Sequence, residues 1–220
     1  MVSVLLGLLL AVPAGSHSYW PSYYSAKSAL SVGAKGLQAV VVIEVPTFAM
    51  VSNFREYFSN IDLMAEIEAG RFQPLEDEYR DAQYKELSVA LELTIDGEKA
   101  AGSWQPVDSP ANGLSTEGFF VYMLEFVFAD AEPGQGTKDL PPAVGAKISV
   151  RLQANVLEQE QLMLANLAVA SDGWEVLASS IPPPEEYPEL PKGSVLVDDL
   201  AMWSEDEVKR DLRVTFVRTE

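Results

Sequence analysis

Between residues 86 and 95 apolar and polar side chains alternate. Leu87, Val89, Leu91, Leu93 and Ile95 fall on one face, and Ser88, Ala90, Glu92 and Thr94 on the other. A period of two marks a half-buried strand, so a strand is expected from Glu86 onward. Asp96-Gly97 is a two-residue hairpin signal that returns the chain through Lys99 towards Trp104. Ile148, Val150, Leu152, Ala154 and Val156 repeat the alternation against Ser149, Arg151, Gln153 and Asn155, and 162–169 is the candidate partner of that strand. Two runs lack a polar face: 37–45, LQAVVVIEV, and 119–128, FFVYMLEFVF, which is apolar on both sides apart from Glu125. Strands covered on both faces read this way. Residues 174–177, 195–203 and 212–217 add further strands, with Ser171-Asp172-Gly173 as a turn.

One stretch changes period. Phe54, Tyr57, Phe58, Ile61, Met64, Ala65 and Ile67 recur at helical spacing, with Ser52 as a candidate N-cap and Gly70 as a stop. The spacing predicts a single helix over 53–69, its other face carrying Arg55, Glu56, Asp62, Glu66 and Glu68. Seven to nine short strands, frequent turn signals and one helix predict a mainly β protein, an antiparallel β-sandwich of jelly-roll or Ig-like kind. The expected division is a hydrophobic segment at 1–16, an N-terminal arm, strand and helix at 17–85 packed on the sandwich, and the sandwich itself at 86–220.

Composition narrows the chemistry. Of 220 residues, 33 are Asp or Glu and 15 are Lys or Arg, for a net charge of −18. Such a surface repels phosphate backbones, so nucleic acid is not an expected partner. The chain has no cysteine and one histidine, His17. Disulfides, thiolate nucleophiles, cysteine-based metal centres and Ser-His-Asp catalysis are therefore not expected. With 33 acids, a carboxylate pair such as Glu92 and Glu125 is a weak sign of glycosidase chemistry, and no phosphate-binding glycine loop stands before a helix. No enzymatic activity is expected.

Residues 2–12 form an apolar run of signal-peptide length, followed by Pro13 and small residues, with Ala14 or Ser16 as the end. No Lys or Arg precedes it. The run is too short to span a bilayer as a helix, which takes about 20 residues. It is expected to be an export signal, which places the protein outside the cytoplasm: periplasmic, on the cell surface or secreted. The alternatives are a short anchor or an element of the fold.

Two features carry candidate ligand chemistry. Tyr19, Trp20, Tyr23 and Tyr24 crowd the chain after His17, and with Trp104 and Trp174 they are candidate platforms for stacking on sugar rings. In GSVLVDDLAMW, Gly193 to Trp203, two adjacent aspartates interrupt an apolar strand. Neighbours on a strand point to opposite faces, so Asp198 and Asp199 cannot both reach the same solvent if the strand is regular and central. An edge position, a bulge or a bound cation would resolve this, and calcium suits an all-oxygen site.

This last stretch resembles the closing strand of jelly-roll carbohydrate-binding modules, in Gly193, Val195, Val197, Asp198, Asp199, Leu200 and Met202 or Trp203. Trp174, within DGWEVL, resembles their Gly-Trp strand. The similarity covers residues 172–203. It implies a β-sandwich, with aspartates that satisfy backbone groups or a calcium ion, and sugar contact through aromatics. The chain departs from those modules in its helix and in an extra strand at 212–217. Lys209, Arg210, Arg213 and Arg218 form a basic C-terminal group suited to intramolecular pairing or to an acidic neighbour, a second copy included. The reading these observations favour is a non-catalytic, extracytoplasmic binding or assembly protein. It would be an accessory or structural subunit of a cell-envelope complex, recognising another protein or itself. A calcium-stabilised carbohydrate-binding module is the alternative.

Overall fold

The computed structural model describes residues 24–109, 113–114, 119–137, 139–154, 162–180, 195–199 and 211–220; at 24, 113–114, 162–165, 195–199 and 211 the description is of the backbone. Two mostly antiparallel sheets and a helical insertion make up this part of the chain.

The first sheet is built on a long hairpin. β1 (Tyr24–Gly33) and β2 (Gly36–Pro46) pair antiparallel from Ser25↔Glu44 to Gly33↔Gly36. The hairpin depends on Gly36. Its φ of 88° lies in the left-handed region, and a Cβ there would stand 1.6 Å from the Thr137 carbonyl oxygen. Every side chain of β2 is buried, as its unbroken apolar run predicts.

Three helices follow: α1 (Thr47–Tyr57), α2 (Leu63–Glu68) and α3 (Phe72–Ala90). The single helix expected over 53–69 is therefore corrected to two, and a third one is added. Ser59, Asn60 and Asp62 supply the break. Asp62 caps α2, its carboxylate accepting the Ala65 N–H at 3.1 Å, while Ser52 lies inside α1. Gly70, with φ of 70°, ends the second helix region where the sequence places a stop. The strand expected from Glu86 begins only at Leu91, because α3 runs on through Leu87 and Val89. The ring of Tyr84 packs edge-on against Tyr122 at 5.3 Å and Leu87 is buried, so tertiary contact holds the last turns of α3 helical.

β3 (Leu91–Ile95) and β4 (Glu98–Lys99) form the expected hairpin, with positive φ at both Asp96 and Gly97. β5 (Gly102–Pro106), β6 (Gly113–Leu114) and β7 (Phe119–Phe128) return to the first sheet. From there the chain alternates between sheets: β8 (Lys147–Ala154), β9 (Leu162–Ala170), β10 (Trp174–Ser179), β11 (Val195–Asp199) and β12 (Asp211–Arg218). The first sheet runs β11-β9-β1-β2-β7-β5 with β6 beside β7, and the second runs β10-β12-β8-β3-β4.

The expected pairing of 162–169 with the β8 strand is overturned. β9 instead lies between β11 and β1, parallel to β1. The patterns explain why. β8 alternates buried and wetter positions and suits a sheet with one open face. LMLANLAVA has no polar face, and it takes an interior position.

One apolar core joins the two sheets. Leu30, Ile43, Tyr122 and Leu124 come from the first, and Leu93, Leu152, Leu212 and Phe216 from the second, each at most 1 % exposed. The first sheet also has a buried second face. Ala29, Val40, Val42, Val121, Met123 and Leu167 form an apolar cluster there. On the same face Lys27 donates to Glu44 at 2.7 Å, and Ser25 Oγ donates to the other Glu44 oxygen at 2.6 Å. Further along, both Glu125 oxygens lie 3.1 Å from the Gly134 N–H, while Gln38 donates to the Gly134 carbonyl at 3.1 Å. Burial pushes the Glu125 carboxyl above its usual range, and the Gly134 N–H opposes this.

Candidate protein-docking surface

The insertion between β2 and β3 has a small core of its own. Phe54 and Phe58, four residues apart across the end of α1, meet edge-to-face at 4.9 Å. Phe54 also meets Tyr79 of α3 at 5.2 Å and Phe72 at 5.5 Å. Met50, Leu63 and Leu75 pack against this group, which thereby ties all three helices together. Ring pairs of this geometry contribute about 0.5–1.5 kcal/mol each beyond the area they bury.

The aromatic group does not absorb the apolar residues around it. Phe48 and Val51 stand exposed one turn apart on α1, as do Met64 and Ile67 on α2, with fractional exposures of 60 %, 40 %, 64 % and 48 %. Tyr57, Ile61 and Phe72 are exposed between them. Among the described residues, ten large apolar side chains are exposed, and seven of them fall between Phe48 and Phe72. α2 buries no residue at all. Tyr57 and Phe72 connect these exposed groups to the small core, through ring contacts of Tyr57 with Phe58 at 4.8 Å and with Tyr79 at 5.5 Å, and of Phe72 with Phe54. Scattered surface apolar residues are ordinary, but a concentration on one insertion makes it the candidate interaction surface.

The insertion that carries this surface is acidic. Residues 47–90 hold nine Asp and Glu against four Lys and Arg. Two of the four bases are held by neighbours: Arg71 donates twice to Glu66, at 2.7 and 2.8 Å, and Arg80 donates to Asp77 at 2.6 Å. The Arg71 bond holds the Glu66 carboxyl below its usual range.

The candidates read from sequence fall elsewhere. Trp104 is 7 % exposed and meets Phe126 edge-on at 5.4 Å. Trp174 is 4 % exposed, packed in the common core with the Arg218 guanidinium 5.7 Å from its ring centre. Neither ring offers solvent a face, so the sugar-stacking reading gains no support from these two. Tyr24 opens β1 opposite Leu162, while Tyr19, Trp20 and Tyr23 lie outside the described residues. Asp198 and Asp199 sit on β11, which closes one edge of the first sheet, opposite Ala165 and Leu164; their side chains are outside the description, and calcium remains an expectation of the sequence. Glu92 and Glu125 are not brought together: Glu92 is exposed on the second sheet, and Glu125 is buried on the far face of the first. Arg213 is exposed on β12, and Lys209 and Arg210 lie outside the described residues.

The helical periodicity at 54–67 is the sequence signal nearest this surface, but it runs together buried Phe54 and Phe58 with exposed Met64 and Ile67. Among the described residues no helix is long and apolar enough to cross a membrane. Comparison with family models, curated proteins and solved structures gives no match.

Proposed function

We propose that this chain is a non-catalytic binding or assembly protein, an accessory or structural subunit of a cell-envelope complex. It is an antiparallel β-sandwich that presents the α1–α2 insertion to a protein partner. The observation that carries this reading is the exposure of Phe48, Val51, Met64 and Ile67 on two short helices, beside a first sheet whose strands β2 and β7 are buried throughout. Burying a side chain of this size is worth about 1.5–3 kcal/mol, so a handful of them supplies a useful part of a binding energy. The common core of the two sheets supports the sandwich. The apolar run at 2–12 supports export.

The test is site-specific photocrosslinking in the producing cell. A crosslinker at Met64 is expected to give a discrete adduct in an envelope fraction, while one at exposed Lys99, on the β3–β4 hairpin, gives none. Matching patterns at the two positions would reject the docking surface. Export is checked by N-terminal sequencing of the fractionated protein, where an intact Met1 would count against a cleaved signal.

A further inference from the structure

We infer that the partner of the α1–α2 surface is a basic amphipathic helix, a protein segment with an apolar stripe flanked by Lys and Arg. This rests on the docking reading above and adds the chemistry of the partner. Exposed apolar residues pair at helical spacing on both helices. Phe48 with Val51 and Met64 with Ile67 each offer two side chains one turn apart, and apolar anchors of an incoming helix recur at the same spacing. Met64 also adapts to irregular partners, because a thioether chain is flexible and polarizable.

The charge decides between occupants. The insertion that carries these residues, 47–90, holds nine Asp and Glu against the four bases Arg55, Arg71, Arg80 and Lys85, and Arg71 and Arg80 are already bonded to Glu66 and Asp77. The insertion thus attracts cations. A second copy presents the same acidic insertion and a net charge of −18, and like charges facing each other across an interface oppose association. An anionic membrane is repelled for the same reason. A basic helix satisfies both the stripe and the charge.

The probe is a synthetic Leu/Lys amphipathic helix, set against a Leu/Glu helix of the same length and against vesicles of phosphatidylglycerol and phosphatidylcholine. The full chain is expected to bind the Leu/Lys peptide, with affinity falling as salt is raised. Phe48→Ser with Met64→Ser leaves every charge in place and is expected to weaken binding about tenfold or more. Glu56→Lys with Glu68→Lys is expected to weaken the Leu/Lys peptide and to favour the Leu/Glu one. Undiminished binding by the serine variant would mean nonspecific attraction to an acidic protein and overturns the inference. So does a failure to bind the Leu/Lys peptide, equal binding of the two peptides, vesicle binding, or sedimentation as a dimer that the serine variant dissolves. In those cases a Met64 adduct in cells would still uphold the docking surface with a different partner, and its absence would remove the surface as well.

Discussion

In β2 and β7 every side chain is buried, whereas α2 buries none. α2, with four apolar residues of six, is about as apolar as β2, with seven of eleven, so composition does not separate these two. The difference is how many neighbours each element has. β2 and β7 have hydrogen-bonded strands on both sides and packed side chains on both faces. α2 packs Leu63 against the small aromatic core and leaves none of its residues buried. An apolar residue in the sheets is held by several partners at once, and one on α2 faces solvent. Stability should therefore reside in the sheets, and recognition in the insertion.

The largest effect separating the two regions is expected from Phe216→Ala. Phe216 is fully buried in the common core, and the truncation should cost about 3–5 kcal/mol in urea unfolding. A loss under about 1 kcal/mol would mean that the sheets are not packed as described. Next comes Lys27→Met, which leaves Glu44 buried on the second face of the first sheet with Ser25 as its remaining bonded side chain. Breaking such a pair should cost about 3 kcal/mol, and Lys27→Met with Glu44→Leu should recover most of it. A double variant no more stable than the single one would show that the charges, not the volume, hold this site.

A smaller, pH-dependent effect is expected at Glu125. Burial raises its carboxyl in the folded state, so the folded chain binds this proton more tightly than the unfolded one. The contribution to stability is then greatest at low pH. It declines as pH rises from the ordinary carboxylate range through the raised folded value, and is flat above it. Glu125→Gln keeps an oxygen for the Gly134 N–H and removes the charge. Its stability relative to the parent should rise over that same window and level off above it. A difference that stays constant with pH would show that Glu125 titrates normally.

Most of the sheet content was legible in the sequence, since each strand writes its surroundings into its pattern. The doubly apolar runs at 37–45 and 119–128 became interior strands, and Asp96-Gly97 became a hairpin. β1 was hidden because SAKSALSV mixes Ser and Lys into both faces; the polar groups are buried, and Lys27 and Ser25 are both bonded to Glu44, and no one-dimensional pattern announces that. The pairing of β9 with β1 is a long-range choice, again invisible to local periodicity. The helix break at 58–62 was masked because Phe58 keeps the apolar spacing while the chain turns. The docking surface itself was half legible: spacing located Met64 and Ile67 on a helix, but whether a stripe faces a core or solvent depends on what packs against it. Trp104 and Trp174 err in the other direction, since an aromatic in the sequence carries no mark of the core that takes it in.

The smallest effect on stability is expected where the largest effect on binding is proposed. Met64→Ser removes an apolar side chain that is 64 % exposed and contributes nothing to the small core of the insertion. Surface substitutions of this kind change stability by less than about 0.5 kcal/mol. Leu63→Ser, one residue away, is the sharper control. Leu63 packs against Phe54, Phe58 and Tyr79 and ties α2 to its neighbours. Its loss should cost about 1–2 kcal/mol as a half-buried apolar contact and should disturb binding indirectly, by releasing α2. If α2 is a presenting element, Met64→Ser weakens partner capture with an unchanged unfolding midpoint, and Leu63→Ser lowers both together. If instead Met64→Ser destabilises the fold as much as Leu63→Ser, then α2 is held by contacts on both its sides, and the contrast between a packed scaffold and an open docking face does not hold.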